Sequence, residues 1–295
     1  MGMNILKGKK AVVIGGSRGI NKEVARAFLK EGADVIIVSR TKSELVKTTK
    51  ELSALGSVDF YVADVAKFAD MKKLATQVLK KWKNIDILVN GAAIPGPIGR
   101  VTDIDPKKWA HSIQVSLSGT FHGVKVFGPA MIKAKNGVII NYVGGGEGPM
   151  LNHSSYVAAK GGIARFTETV AVEFKDFGIR VNAIAPGAVN TFFLENLIKV
   201  GPKKAGEEHY RKALEQKNNG GVSPEKAAQL CVWLASDASR GVTGKILSAQ
   251  WDPYTDFPKH LSDISNTDVY TMRRVRPTSK GFDWDPFDRP APKKK

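Results

Sequence analysis

The sequence predicts an α/β fold, a doubly wound parallel sheet of about seven strands flanked by helices and followed by a C-terminal extension. Three observations carry this reading. Short continuous apolar runs rich in β-branched residues recur through the first 251 positions, as in strands buried on both faces. Amphipathic stretches with apolar residues three and four apart separate them, and several stop at glycine. The two alternate over residues 9 to 184, which demands crossover connections rather than hairpins.

Taken in order, the strand candidates are KAVVIG, ADVIIVS, SVDFYVA, IDILVN, GVIINYV and IRVNAIA, with GKILSAQW as a last strand. Between them, NKEVARAFLKEG, SELVKTTKELSALG and MKKLATQVLKKW read as single helices. PKKWAHSIQVSLSGTFHGVKVFGPAMIKA and SSYVAAKGGIARFTETVAVEFKDFG read as long ones, and a further helix is expected around 224 to 236. One domain over 1–251 accounts for this pattern, with no internal repeat or linker. Residues 192 to 220 fall outside the alternation and are expected to cover a substrate. Residues 252 to 295 form the extension, where Tyr254, Phe257, Tyr270, Phe282, Trp284 and Phe287 recur every few residues. Such spacing implies packing on the domain, with the last few residues mobile.

Composition narrows the class. With 42% hydrophobic and 25% charged residues the chain is a globular protein. No run of eighteen apolar residues is present, so no membrane span is expected. The start, MGMNILKGKKAVVIGG, lacks the apolar core and small-residue exit of a secretory signal and fits a myristoylation signal poorly. Cys231, the only cysteine, lies in the apolar helical pattern AAQLCVWLAS and reads as a buried structural thiol, consistent with a cytoplasmic location. The net charge of +17 favours anionic partners in general. Its lysines are spread over helix faces without interleaved aromatics, so no nucleic-acid partner is expected.

The stretch AVVIGGSRGIN is a strand ending in a glycine-rich turn that opens a helix. Glycine at 15 and 19 lets backbone approach a pyrophosphate, and the helix N-terminus presents free N–H donors. The cofactor-binding candidates here are Gly15, Ser17, Arg18, Gly19 and Ile20. An acid at the end of the second strand binds ribose hydroxyls, whereas arginine accommodates a 2′-phosphate. Ser39 and Arg40, followed by Thr41 and Lys42, stand at that place with Arg18 nearby. This favours NADP over NAD.

Together with this turn, ADV at 63 to 65, NGAA at 90 to 93, Tyr156 with Lys160, and PGAVNT at 186 to 191 follow the order of motifs of the short-chain dehydrogenase/reductase family. The chain resembles that family, with its Rossmann-type fold, over about residues 7 to 251. The resemblance implies that Asp64 and Val65 meet the adenine and that Asn90, Gly91 and Ala92 line the adenosine ribose side. It also implies that Pro186, Gly187, Val189 and Thr191 hold the nicotinamide carboxamide, and that Tyr156 and Lys160 touch the cofactor too. A homodimer or homotetramer is implied, through helices at about 106 to 133 and 155 to 177. Three departures stand out. Asn21 replaces a third glycine, NGAA replaces NNAG, and GKILSAQWDPYTDF replaces a short glycine-rich finish.

In INYVGGGEGPMLNHSSYVAAK, Tyr156 and Lys160 are four residues apart, on one face of a helix. An ammonium there lowers a phenol's pKa, the chemistry of a proton donor to a carbonyl oxygen. By resemblance, VSLSGTF puts Ser116 where the family has asparagine, and the family's serine falls at Val143 or Gly144. Backbone N–H groups of Gly144 to Gly146, a hydroxyl or amide from NHSS at 152 to 155, or a substrate group are the substitutes for that serine. The expected activity is reversible NADPH-dependent reduction of a small ketone or aldehyde, an anionic one included. Lys199, Lys203, Lys204 and Arg211 are the cations expected to attract such an anion. A 3-oxoacyl-carrier-protein reductase is a close competitor. A low-turnover dinucleotide-binding regulator and a 2,4-dienoyl-thioester reductase are the alternatives.

Overall fold

The structure, a computed structural model, describes residues 4–144 and 148–282. Each apolar run supplies one strand: β1 (Lys10–Ile14), β2 (Asp34–Ser39), β3 (Val58–Val62), β4 (Ile87–Asn90), β5 (Gly137–Tyr142), β6 (Ile179–Ala185) and β7 (Ile246–Ser248). They form one parallel sheet in the order β3-β2-β1-β4-β5-β6-β7. Ile14 lies level with Val38 and Asn90, and Asn90 with Asn141, so the carboxyl ends form one rim. The order reverses between β1 and β4, where doubly wound sheets open a crevice.

The helices are α1 (Gly19–Lys30), α2 (Lys42–Leu52), α3 (Phe68–Trp82), α4 (Pro106–Ile113), α5 (Gly119–Ala134) and α6 (Ser154–Phe174), then α7 (Phe192–Val200), α8 (Pro202–Ala205), α9 (Glu207–Asn218), α10 (Pro224–Ala235) and α11 (Leu261–Asn266). Successive strand residues point to opposite faces, and the core divides accordingly. Val13 and Ile37 pack with Phe28 of α1, Leu45 of α2 and Leu230 of α10. Val12, Ile14 and Ile36 pack with Leu74 of α3, Phe127 of α5 and Val170 of α6. The single helix expected over 106 to 134 is two, α4 and α5, joined by a π-helical turn at Gln114–Ser118. Such turns insert one extra residue and recur at functional sites.

Arg180 of β6 closes the other end of α10. Its guanidinium donates to the carbonyls of Leu234 at 2.8 Å and Ser236 at 3.0 Å, a cation at a helix C-terminus. Burial pulls its pKa down to about 10.

The extension packs back on the sheet. Phe257 and Ile264 are buried in the core, and Tyr254 and Tyr270 pack against it. The Tyr270 carbonyl accepts from Ile246 N at 2.8 Å, and Lys245 Nζ donates to the carbonyls of Thr267 and Val269, each at 3.0 Å. Glu168 of α6 accepts from Met272 N at 2.7 Å and pairs with Arg165 and Arg273. Phe282 is exposed, and Trp284 and Phe287 lie outside the described residues.

Candidate active site

A cavity of about 1350 Å³ follows the rim from the N-terminus of α1 to α9. It exceeds the ~300–1,000 Å³ of ordinary small-molecule pockets, leaving room for a dinucleotide and a second molecule. The glycine turn fits the role read from its sequence. Gly15 has φ +85°, and a Cβ there would press on the Ala92 backbone at 3.0 Å. Gly19 has φ +57° and faces open space, its nearest neighbour being Thr191 Cγ2 at 3.9 Å from a notional Cβ. No side chain caps α1 and its first turn holds no acid. The turn therefore offers free N–H donors over a surface bare of side chains, as a pyrophosphate requires.

At the end of β2, Ser39, Arg40 and Thr41 line the same cleft. Arg40 makes no ion pair among the described residues. An acid nevertheless reaches this end, contrary to the reading of the strand terminus alone. Glu44, in the first turn of α2, lines the cleft and accepts from Ser17 Oγ at 3.0 Å and Arg18 Nη1 at 3.4 Å.

Of the adenosine-side candidates, Val65, Gly91 and Ala92 line the cleft, whereas Asp64 and Asn90 do not. Asp64 Oδ1 caps its own turn, accepting from Ala66 N at 3.0 Å. Asn90 Nδ2 is committed to Asn141 Oδ1 at 2.9 Å, and Asn141 donates in turn to Thr167. Asn90 Oδ1 has no hydrogen-bond partner among the described residues. Pro186, Gly187, Val189 and Thr191 line the opposite wall, and the Thr191 hydroxyl caps α7 through Phe193 N.

The catalytic candidates converge on the first turns of α6. Lys160 is 4% exposed, donates to the Tyr142 carbonyl at 2.8 Å and stands 5.7 Å from the Tyr156 ring centroid. Burial alone lowers the Lys160 pKa to about 8. Burial also raises that of Tyr156 well above the usual phenol value, and no opposing cause outweighs it. Desolvation of the phenolate acts against the lowering expected from Lys160. Near neutral pH Tyr156 keeps its proton.

Both positions open to the family's serine, Val143 and Gly144, line the cleft. Val143 is buried among Ile163, Ala164 and Ile246. A Cβ on Gly144 would instead stand 3.7 Å from the Tyr156 hydroxyl and 3.6 Å from Pro186 Cδ, and Gly144 has φ +85°. Gly145 and Gly146, the other backbone donors considered, lie outside the described residues.

Ser116 sits inside the π-helical turn, wholly buried and behind the cleft wall. Its Oγ accepts from Ile94 N at 3.4 Å, and its carbonyl accepts from Thr120 Oγ1 at 2.8 Å. The hydroxyl and amide groups of NHSS also turn away. Asn152 Nδ2 donates to the Lys204 carbonyl at 2.9 Å, and Ser154 Oγ accepts from Trp109 Nε1 at 3.3 Å. Ser155 Oγ is buried beside Gly96. The member of that tetrad that lines the cleft is His153, three residues before Tyr156. Its spacing from Tyr156 was the available signal.

Residues 192 to 218 cover this end as α7, α8 and α9, built on Leu194, Leu197, Ala205 and Ala213. Two aromatic contacts join them to α6. Phe193 packs on Tyr156 with centroids 4.4 Å apart, and His209 on His153 at 4.9 Å. Lys199, Lys203, Lys204 and Arg211 do not line the main cleft; Lys212 does.

A tyrosine beside a buried lysine, in one cleft with a glycine turn and an uncapped helix N-terminus, is an arrangement compatible with dinucleotide-dependent oxidoreduction. The family model described as Enoyl-(Acyl carrier protein) reductase matches residues 14–250. The chain is 36% identical over 247 residues to 3-oxoacyl-acyl-carrier-protein reductase FabG of Thermotoga maritima, covering 82% of this chain and 96% of that protein. It is 32% identical to D-beta-hydroxybutyrate dehydrogenase of Cupriavidus necator over 82% and 96% of the two chains. Among solved structures, an actinorhodin polyketide ketoreductase crystallised with NADPH superimposes with a TM-score of 0.74 at 27% identity, over 84% of this chain and 97% of that one. The chain belongs to the short-chain dehydrogenase/reductase family and is an NAD(P)-dependent oxidoreductase acting on CH–OH/C=O pairs.

Proposed function

We propose that this chain reduces a ketone or aldehyde with NADPH, reversibly, and that Tyr156 donates the proton. The observation that carries the reading is the half-buried Tyr156 hydroxyl beside Gly144, at the end of the cleft away from the glycine turn. When bound, the dinucleotide supplies the hydride. Tyr156 delivers its proton to the carbonyl oxygen, and Lys160, anchored by the Tyr142 carbonyl, stabilises the phenolate left behind. Gly144 leaves room for a carbonyl oxygen against its backbone N–H, which is the role we assign to it in place of a serine hydroxyl. Ser116, bonded to Ile94 N, steadies the wall behind the substrate. Arg40, unpaired among the described residues, supports the choice of NADP over NAD, as does the NADPH held by the ketoreductase of similar structure.

The test is an NADPH oxidation screen against ketones and aldehydes, with Tyr156→Phe as control. Loss of the general acid is expected to cost about 10²–10⁴ in turnover. Tight NADPH binding with no turnover on any carbonyl would favour a nucleotide-binding regulator instead. We also propose a homodimer or homotetramer built on α5 and α6, whose outer face exposes Phe121 and Val172. Val172→Arg is expected to lower the sedimentation coefficient.

A further inference from the structure

The imidazole of His153 is wholly buried and lines the cleft, yet its Nε2 has no hydrogen-bond partner among the described residues. Its tautomer follows from geometry. Nδ1 lies 2.7 Å from the Leu151 carbonyl oxygen, which can only accept. Nδ1 therefore carries the proton, and in the neutral ring Nε2 is a lone pair. Burial disfavours the imidazolium here. A buried acceptor without a donor costs about 1–3 kcal/mol, a cost that a ligand O–H removes.

The ring is held still from both sides. The Leu151 bond fixes one edge, and His209, brought by α9, packs on its face at 4.9 Å with an interplanar angle of 48°. His153 immediately precedes α6, three residues before Tyr156, and the two line the same cleft. A molecule whose carbonyl meets Tyr156 therefore occupies the cleft that His153 also lines.

The nearby cations argue for a neutral partner. Lys212 pairs with Glu208 at 2.6 Å, and Arg273 with Asp268 at 3.3 Å and Glu168 at 3.6 Å. Each of these cations already has an acid of this chain beside it.

We propose that His153 Nε2 is a specificity-determining acceptor for a hydroxyl group carried near the carbonyl, so that the preferred substrates are neutral hydroxy-ketones or hydroxy-aldehydes. This rests on the carbonyl-reductase reading above and names its substrate class. The experiment compares kcat/KM for hydroxyacetone against acetone and acetoin against butanone, with acetoacetate as an anionic ketone. The wild type is expected to prefer each hydroxy compound by about tenfold or more, as one buried hydrogen bond allows. His153→Phe should lose hydroxy-ketone turnover about tenfold more than simple-ketone turnover, and His153→Gln, which keeps an acceptor, should restore part of the preference. Equal kcat/KM within each wild-type pair overturns the proposal without any variant. So does a preference for acetoacetate that His153→Phe abolishes, since that marks a protonated anion clamp.

A second readout is independent of turnover. The Nε2 nitrogen resonance of His153 should move on titration with hydroxyacetone and not with acetone. If no carbonyl is reduced, the carbonyl-reductase reading fails, and this titration still decides the role of His153: an unmoved resonance overturns it.

Discussion

Asn21 and Gly91 occupy one another's space. Asn21 Nδ2 donates to the Gly91 carbonyl at 3.0 Å, and a side chain built on residue 91 would overlap the Asn21 carboxamide. Two departures from the family pattern that look separate in the sequence, asparagine for the third glycine of the turn and glycine for the second asparagine of NNAG, are therefore one exchange. The amide has moved from the β4 loop to α1 and still joins them. Gly91→Asn alone is expected to destabilise by about 1–3 kcal/mol through overpacking. Asn21→Gly alone should cost about 1 kcal/mol for the lost bond. The double variant should recover most of the first loss, a coupling of about 1–3 kcal/mol measurable by denaturant unfolding. Additive losses would show that the two positions are independent.

The pH dependence of reduction follows from Lys160. Burial raises the Tyr156 pKa, so the proposed proton donor is expected to set no limb of its own. Lys160 is lowered to about 8, so its ammonium is present below that pH and lost above it. The kcat/KM for carbonyl reduction, which reports the free enzyme, is expected to be flat below pH 8 and to fall above it. Lys160→Met should be slow throughout and lack that limb. A profile unchanged in shape by the substitution would assign the limb to another group.

Much of this architecture is legible in the sequence because parallel strands buried on both faces leave unbroken apolar runs, and all seven runs became strands. The break at Gln114–Ser118 was not legible, since a π-helical turn shifts the apolar spacing by a single residue. Glu44 escaped notice because it lies five residues beyond Ser39, and only the fold of α2 returns it to the cleft. The register of the serine position stays open between Val143 and Gly144, because both lie just past the end of β5 and both line the cleft. His153 lies within NHSS but is neither a hydroxyl nor an amide, the groups by which a missing serine is most directly replaced, and only the fold shows that it lines the cleft.

If NADPH is the cofactor, as proposed, its preference over NADH is expected to turn on Arg40 and Glu44 together. Arg40 lines the β2 end with no ion pair among the described residues, while Glu44 holds Ser17 and Arg18. Arg40→Ala is expected to weaken NADPH binding relative to NADH by about tenfold or more, the scale of one charge-assisted bond. Glu44→Gln should act in the opposite direction, freeing Arg18 and removing a like charge from the phosphate's surroundings. Fluorescence titration of both nucleotides against both variants decides it, and equal effects on NADH and NADPH would place the 2′-phosphate elsewhere.

Gly144→Ser tests whether the carbonyl clamp has been rebuilt or is merely missing. The new Cβ would stand 3.7 Å from the Tyr156 hydroxyl, ordinary contact, so a serine Oγ could reach the carbonyl oxygen. Against this, the residue has φ +85°, where a side chain is strained by about 1–2 kcal/mol. If backbone N–H already clamps the oxygen, the hydroxyl adds little and the strain displaces that N–H. We expect kcat to be unchanged or lower, with a reduced Tm. A missing oxyanion donor costs about 10²–10³ in kcat, so a rise of that size in Gly144→Ser would show that the native site works without its clamp. The variant's Tm separates the two effects, since strain appears in unfolding whichever way turnover moves.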